Sequence, residues 1–161
     1  MSPDIVVRVS HRYTAPAERV FDAWVTPSQA SRFFFATRTG NIMRCEMEPE
    51  PGGHFFVTDR RPNADGDESV MDAEHRGEYI EVDRPNKLVF DFTVPPYTES
   101  PTRVTLEFVP LSGMSCEIVL THNLGNDDGA RAMERQTREG WARMLANLEK
   151  ELFPKRIGVQ L

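Results

Sequence analysis

The sequence lacks the features that would tie it to a membrane or to export. No stretch reaches the roughly 18 apolar residues that a membrane-spanning helix needs. The N-terminus, MSPDIVVRVSH, has neither the basic segment nor the long apolar segment of a signal peptide. The 161 residues include only two cysteines, Cys45 and Cys116, which are too few for a disulfide framework. We therefore expect free thiols, a single domain over residues 1–161 and a cytoplasmic location.

The signatures of several enzyme and partner classes are missing as well. The chain has no phosphate-cradling glycine loop and no GxSxG, CxxC or HExxH motif. These absences exclude nucleotide-dependent enzymes, α/β-hydrolases and zinc proteases. The net charge of −6 argues against nucleic acid or an anionic membrane as a partner. We expect no cofactor and no metal, because His54, His75 and His122 fall on separate predicted strands without ligand spacing.

The longest helical pattern in the chain comes last, over residues 128–153. Its candidate caps are Asn126, Asp127 and Asp128. Gly140 interrupts the pattern, at a cost of roughly 1 kcal/mol relative to alanine. Either the helix approaches a strand closely there, or room is left for something else. The positions that recur at three- and four-residue steps, and so share one face, are Ala130, Met133, Thr137, Trp141, Met144, Leu145, Leu148 and Leu152.

The rest of the chain predicts one strand, two short helices and six further strands. Short turns between the six strands imply an antiparallel meander, whose apolar face the last helix would cover in an α+β arrangement. The predicted loops are residues 60–68 and 95–101, both rich in polar residues, proline or glycine. The predicted strands are residues 5–13, 41–48, 54–59, 74–83, 87–94, 103–109 and 115–123, and the predicted short helices are residues 16–24 and 26–35.

Five motifs in this order carry a resemblance to a known family. They occupy residues 15–24 (APAERVFDAW), 77–90 (GEYIEVDRPNKLVF), 104–110 (VTLEFVP), 118–124 (IVLTHNL) and 139–152 (EGWARMLANLEKEL). With these motifs the chain resembles the START-like (SRPBCC, helix-grip) superfamily. Within it, the chain is similar to the branch related to the activator of heat-shock-protein-90 ATPase.

The resemblance implies a helix-grip (Bet v 1 or START-like) fold, in which a curved antiparallel sheet and the long C-terminal helix enclose a cavity for an apolar small molecule. Relatives often carry a tryptophan pair after the second helix, where this chain has Phe33, Phe34 and Phe35. The mouth would be formed by residues 60–71 and 95–101 with the second helix. The expected lining comprises Trp24, Phe33, Phe34, Met43, Cys45, Met47, Phe56, Phe90, Phe92, Leu106, His122, Met133, Thr137, Gly140, Trp141 and Met144.

Candidates for proton transfer are few. His122 shares the parity of Cys116, Ile118 and Leu120 and should point inward, either as a buried neutral histidine or as a polar group of the cavity. Glu78 and Tyr79 are weaker candidates because the parity of their strand is ambiguous. Other acidic residues, including Asp59, alternate with apolar neighbours and belong on the solvated face.

Three functions remain open at this stage. The leading hypothesis is a binding protein for a small apolar or amphipathic molecule. The second is an enzyme of the cyclase or hydrolase kind that uses His122 with Glu78 or Tyr79. The third is a chaperone partner acting through the outer surface, which we rank low. An exposed strand edge favours a homodimer.

Overall fold

The computed structural model describes residues 3–63, 69–94 and 100–155. Within these ranges the chain forms seven strands and three helices in the predicted order. The elements are β1 (Ile5–Tyr13), α1 (Ala17–Val25), α2 (Pro27–Ala30), β2 (Asn41–Met47), β3 (His54–Pro62), β4 (Val70–Asp83), β5 (Lys87–Thr93), β6 (Thr102–Ser112), β7 (Ser115–Gly125) and α3 (Asp128–Leu152).

All seven strands form one antiparallel sheet in the order β1-β7-β6-β5-β4-β3-β2. The strands from β2 to β7 follow one another as a meander, and β1 returns to pair with β7, from Ile5 opposite Gly125 to Tyr13 opposite Cys116. The sheet, the two short early helices and the long last helix confirm the predicted helix-grip fold. No helix among the described residues is both long and apolar enough to cross a membrane.

Two predicted boundaries need correction. The loop predicted at residues 60–68 is shorter, because Arg60 to Pro62 continue β3 and pair with Val70 to Asp72 of β4. The second helix ends at Ala30, so Phe33, Phe34 and Phe35 follow it in a turn. The remaining parts of the two predicted mouth loops, residues 64–68 and 95–99, lie outside the described residues.

The last helix begins as the sequence predicts. The side chain of Asp127 accepts a hydrogen bond from the backbone N–H of Ala130 at 2.7 Å, which satisfies one of the helix's unpaired donors. The second half of α3 buries Trp141, Leu145 and Leu148. The Tyr13 hydroxyl donates to the Leu145 carbonyl at 2.8 Å and so joins the helix to β1.

The first half of α3 is different, because most of its side chains are exposed. Met133, expected on the inner face, is 45% exposed. Thr137 and Gly140 are only half-buried. The helix therefore buries side chains mainly in its second half, and Ala130 is the buried residue of its first half.

The predicted inner face of the sheet is right for β6 and β7 and partly wrong for β2 and β3. Val104, Leu106 and Phe108 are buried, as are Cys116, Ile118, Leu120 and His122. On β3 the buried side chains are Phe55, Val57 and Asp59, so Phe56 points outward, where the Arg44 guanidinium lies 4.4 Å from its ring centre.

A register shift between Ile42 and Arg44 changes the alternation of β2. Met43 falls at this irregularity and is 54% exposed, whereas Ile42, Cys45 and Met47 pack against the core. The expectation that Met43 and Phe56 line the interior is therefore wrong.

Candidate functional site

One end of the core, here called the closed end, is filled by aromatic side chains. Trp24 meets Phe33 edge-on at 5.0 Å between ring centres, and Phe55 meets Phe90 edge-on at 5.2 Å. Edge-to-face contacts of this kind add to the free energy gained by burial. Each ring is at most 2% exposed, so these side chains occupy this end of the interior themselves. The closed end consists of Trp24, Phe33, Phe34, Phe55 and Phe90.

The other end of the core lies next to Trp141, near the middle of α3, and is here called the open end. It consists of Phe35, His75, Phe92, His122 and Trp141. Phe92 is half-buried, and its ring centre lies 5.1 Å from that of Phe35 and 5.4 Å from that of His122. The open end thus combines three apolar aromatic rings with two imidazoles.

Phe35 holds a strained backbone conformation at the centre of the open end. Its φ of 57° lies in the left-handed region, which a bulky residue rarely adopts and which costs about 1–3 kcal/mol. Its ring stacks on His75 at 4.0 Å with an interplanar angle of 10°. Strain of this kind concentrates at binding and catalytic sites, where the surrounding structure holds it in place.

A buried carboxylate fixes the segment that follows Phe35. Asp59 is fully buried and accepts a hydrogen bond from the Thr37 hydroxyl at 2.8 Å, while Arg61 Nε lies 3.3 Å from the same oxygen. A β-carbon on Gly40 would collide with the Asp59 carboxylate, so glycine is required for this close approach. The expected solvent-facing position of Asp59 is therefore corrected: the residue ties the segment between α2 and β2 to the sheet.

His122 uses both ring nitrogens. Trp141 Nε1–H donates to His122 Nδ1 at 2.9 Å, and His122 Nε2 lies 2.8 Å from the Thr102 hydroxyl oxygen. Burial lowers the pKa of His122 to about 4, so the imidazole is neutral at pH 7. The interpretation of His122 as a buried neutral histidine agrees with this geometry.

His75 is the second neutral imidazole of the site. Its Nδ1 lies 3.2 Å from the Val57 carbonyl oxygen, and because a carbonyl only accepts, Nδ1 carries the proton. Burial lowers the pKa of His75 to about 4, with a smaller contribution from the positive charge of Arg61. Neither histidine of the open end is therefore charged at neutral pH.

Gly140 lies on the stripe of α3 that also carries Thr137, Trp141 and Met144. A β-carbon built on Gly140 meets no atom within 4 Å, whereas one on Gly77 of β4 would collide with the Phe55 ring. The close-approach explanation of Gly140 is therefore wrong, and it describes Gly77 instead. Gly140 borders open space next to Trp141.

A family model described as Activator of Hsp90 ATPase homolog 1-like protein matches residues 14–152. The chain belongs to this family. Among solved structures, a protein from Chromobacterium violaceum is 17% identical, with 94% of this chain and 99% of that chain covered and a TM-score of 0.73. A Mycobacterium smegmatis protein is 14% identical, with 92% and 90% covered and a TM-score of 0.74.

A Plasmodium falciparum protein described as an HSP90 activator is 23% identical, with 93% of this chain and 98% of that chain covered and a TM-score of 0.67. At these identities, the three structures show a shared fold. The search of curated proteins finds no match.

This Hsp90 ATPase activator homolog 1-like chain does not bring the predicted proton-transfer residues together. Glu78 points outward, its side chain is 52% exposed, and it lies 3.9 Å from His54. Tyr79 is buried beside Phe55, and among the described residues its hydroxyl has no hydrogen-bond partner. The groups bonded to His122 are Trp141 and Thr102, neither of which is Glu78 or Tyr79.

The thiols of the family member are unsuited to nucleophilic chemistry. Cys45 and Cys116 are both free, and burial raises the pKa of each thiol to about 11. A thiol with such a pKa is protonated at pH 7 and a poor nucleophile. In the described part of the chain no cluster of three or more His, Cys, Asp or Glu side chains is arranged to hold a metal ion.

Two surface cavities flank the core. One of about 280 Å³ lies between α1, α2 and the end of α3, next to Arg19 and Phe153. The other, of about 240 Å³, lies over β3, β4 and β5, next to His54 and Glu78, and Phe92 of the open end forms part of its lining. Neither is lined by Trp141 or His122.

Sequence reasoning missed Phe35, His75 and Thr102 as members of the site. Thr102 lies two residues before Val104 and four before Leu106, so its side chain points inward like theirs. The sequence would have indicated this if the predicted strand had begun at residue 102 and not at residue 103. The left-handed conformation of Phe35 has no sequence signal, because glycine or asparagine is the residue expected there.

Proposed function

We propose that this family member binds a small apolar or amphipathic molecule at the open end, against the rings of Phe35, Phe92 and Trp141. The observation that carries the proposal is the open space around Gly140, whose neighbour along the helix, Trp141, belongs to the open end. An apolar molecule there would cover the half-buried Phe92 ring and replace water at an aromatic surface.

The electrostatics of the open end support an uncharged apolar group in this position. His75 and His122 are neutral at pH 7, since their pKa values are about 4. Aromatic rings and neutral imidazoles favour an apolar ring over an ion, whose desolvation they would not offset. The strain at Phe35 adds support, because a strained backbone of this kind concentrates at binding sites.

The test is a pair of leucine substitutions on α3. Gly140→Leu places a side chain in the proposed site, and Ala142→Leu places the same side chain on the exposed face two residues away. Cumene (isopropylbenzene) serves as the apolar probe, and the indole N–H signal of Trp141 in NMR titrations reports binding.

We expect cumene to shift the Trp141 signal in the wild type and in Ala142→Leu, and to lose at least tenfold in affinity in Gly140→Leu. Circular dichroism and thermal unfolding check that both variants keep the fold. Equal cumene binding by both variants, or no shift in the wild type, contradicts the proposal.

We rank a chaperone partner below ligand binding for this chain. The Plasmodium falciparum structure is described as an HSP90 activator, and at 23% identity its likeness to this chain is one of fold. A pull-down against the middle domain of the chaperone separates the two functions. A cytoplasmic location agrees with the two free thiols, and a homodimer through the edge strands β1 or β2 is tested by analytical ultracentrifugation.

A further inference from the structure

Three side chains at the open end form a line of hydrogen bonds: Trp141, His122 and Thr102. An indole N–H can only donate, so His122 Nδ1 must accept the bond from Trp141. A neutral imidazole with an accepting Nδ1 carries its proton on Nε2. The Nε2–H then donates to the Thr102 hydroxyl oxygen at 2.8 Å. The donor-only indole thus sets the direction of the whole line.

This direction decides what the Thr102 hydroxyl can do. Because Thr102 accepts from His122, its own proton is not used in that bond and is left for another acceptor. Among the described residues, His122 is the hydrogen-bond partner of the Thr102 side chain. Water can accept this proton at a half-buried hydroxyl, so a ligand that displaces the water is favoured when it supplies an acceptor of its own.

Thr102 lies at the edge of the open end. It is the first residue of β6, is half-buried, and shares the inward parity of Val104 and Leu106. On the neighbouring strand β5, the residue opposite Thr102 is Phe92, whose ring belongs to the open end. A molecule stacked on Phe92 therefore has the Thr102 hydroxyl beside it.

We propose that Thr102 donates a hydrogen bond to the ligand, so that the open end selects apolar ring molecules bearing an acceptor such as a carbonyl oxygen. This inference rests on the proposed function and adds to it a specificity-determining residue and a ligand class. Trp141 acts as a positioning residue, because it orients the line through His122. A ligand with the same shape and no acceptor contacts the aromatic rings of the open end and leaves the Thr102 hydroxyl proton without a partner.

The experiment compares two probes of matched shape, acetophenone and cumene. Cumene carries a methyl group in place of the carbonyl oxygen of acetophenone and so lacks the acceptor. Three variants accompany the wild type: Thr102→Val, which removes the hydroxyl at constant shape; Thr102→Ser, which keeps it; and Trp141→Phe, which removes the indole donor. The measured quantity is the ratio of the two dissociation constants, cumene over acetophenone, from NMR titrations.

We expect Thr102→Val to lower this ratio about three- to tenfold, the size of one hydrogen bond, and Thr102→Ser to leave it within about twofold. Trp141→Phe should lower the ratio as well. In the wild type, nitrogen-15 NMR should show the Nε2-protonated form of His122 at pH 7. A purely structural role of Thr102 would change both dissociation constants equally.

The outcomes separate the two proposals. If both probes bind and the ratio is the same in the wild type and in Thr102→Val, the acceptor preference is wrong and the binding function stands. An Nδ1-protonated His122 likewise overturns the preference alone. If neither probe binds the wild type, the binding function fails and the preference fails with it.

Discussion

The closed end and the open end of the core are made of similar side chains and differ in how completely those side chains fill the space. At the closed end, Phe55 packs against a glycine that no other residue could replace without collision. At the open end, Phe92 is half-buried and Gly140 has no atom close enough to touch a β-carbon. One aromatic core is therefore filled completely at one end and borders open space at the other, where we propose that a ligand binds.

The largest expected effect comes from removing one phenylalanine at each end. Phe55→Ala should destabilise the protein by about 3–5 kcal/mol, because it leaves a cavity in a filled region. Phe92→Ala should cost about 1–2 kcal/mol, since the ring is already partly in contact with water. Urea unfolding at pH 7 measures both. Equal losses would mean that the two ends are packed alike.

The second-largest effect is expected from acid, which should lower the free energy of unfolding through the two histidines of the open end. The pKa values of His75 and His122 are about 4 in the folded protein and about 6.5 when exposed, so the unfolded chain binds these protons more readily. The contribution of each neutral histidine to the free energy of unfolding is therefore fully present above about pH 6.5. It is lost as the pH falls towards 4, by at most about 3 kcal/mol per histidine.

Urea unfolding between pH 7 and pH 4.5 measures this loss. His122→Asn should show a smaller pH dependence than the wild type. His54→Asn serves as the control because His54 lies on the exposed face of the sheet. An identical pH dependence in all three proteins would contradict the assignment.

The two glycines give the smallest and most direct contrast. Gly77→Ala should destabilise by about 1–3 kcal/mol, because its methyl group meets the Phe55 ring. Gly140→Ala should stabilise by up to about 1 kcal/mol, because alanine is the better helix former and the methyl group enters open space. Thermal unfolding measures whether each substitution raises or lowers the stability. A destabilising Gly140→Ala would show that the space beside the helix is smaller than the structure has it.

The sequence predicted the fold well because its strongest signals are periodic. The alternation in β6 and β7 has one apolar residue at every second position, so the inward parity of His122 followed directly. On β3 two adjacent phenylalanines, Phe55 and Phe56, satisfy either parity, and on β2 the register shift next to Met43 changes the alternation midway. Periodicity alone could not resolve these two strands.

The site itself was less predictable, because it depends on contacts between distant parts of the chain. Trp141 and Thr102 reach His122 from a helix and a neighbouring strand, and no local pattern pairs them. Phe35 owes its position to the connection between Thr37 and the buried Asp59, which the pattern of β3 had placed in solvent. Sequence reasoning therefore found His122 and Trp141 individually, and the structure supplied the hydrogen bond between them.

The first strand, β1, pairs with β7 and is hydrogen-bonded to α3. These contacts have a consequence for how the chain folds during synthesis. Tyr13 and Leu145, which share a hydrogen bond, are 132 residues apart in the sequence. The first strand therefore leaves the ribosome long before its partners exist, and the core is complete only after the last helix has emerged. Such distant pairings slow folding and leave an unpaired strand edge exposed in the nascent chain. Arg8 and Arg12 of that strand are exposed, and charged side chains on a strand disfavour its pairing with other chains.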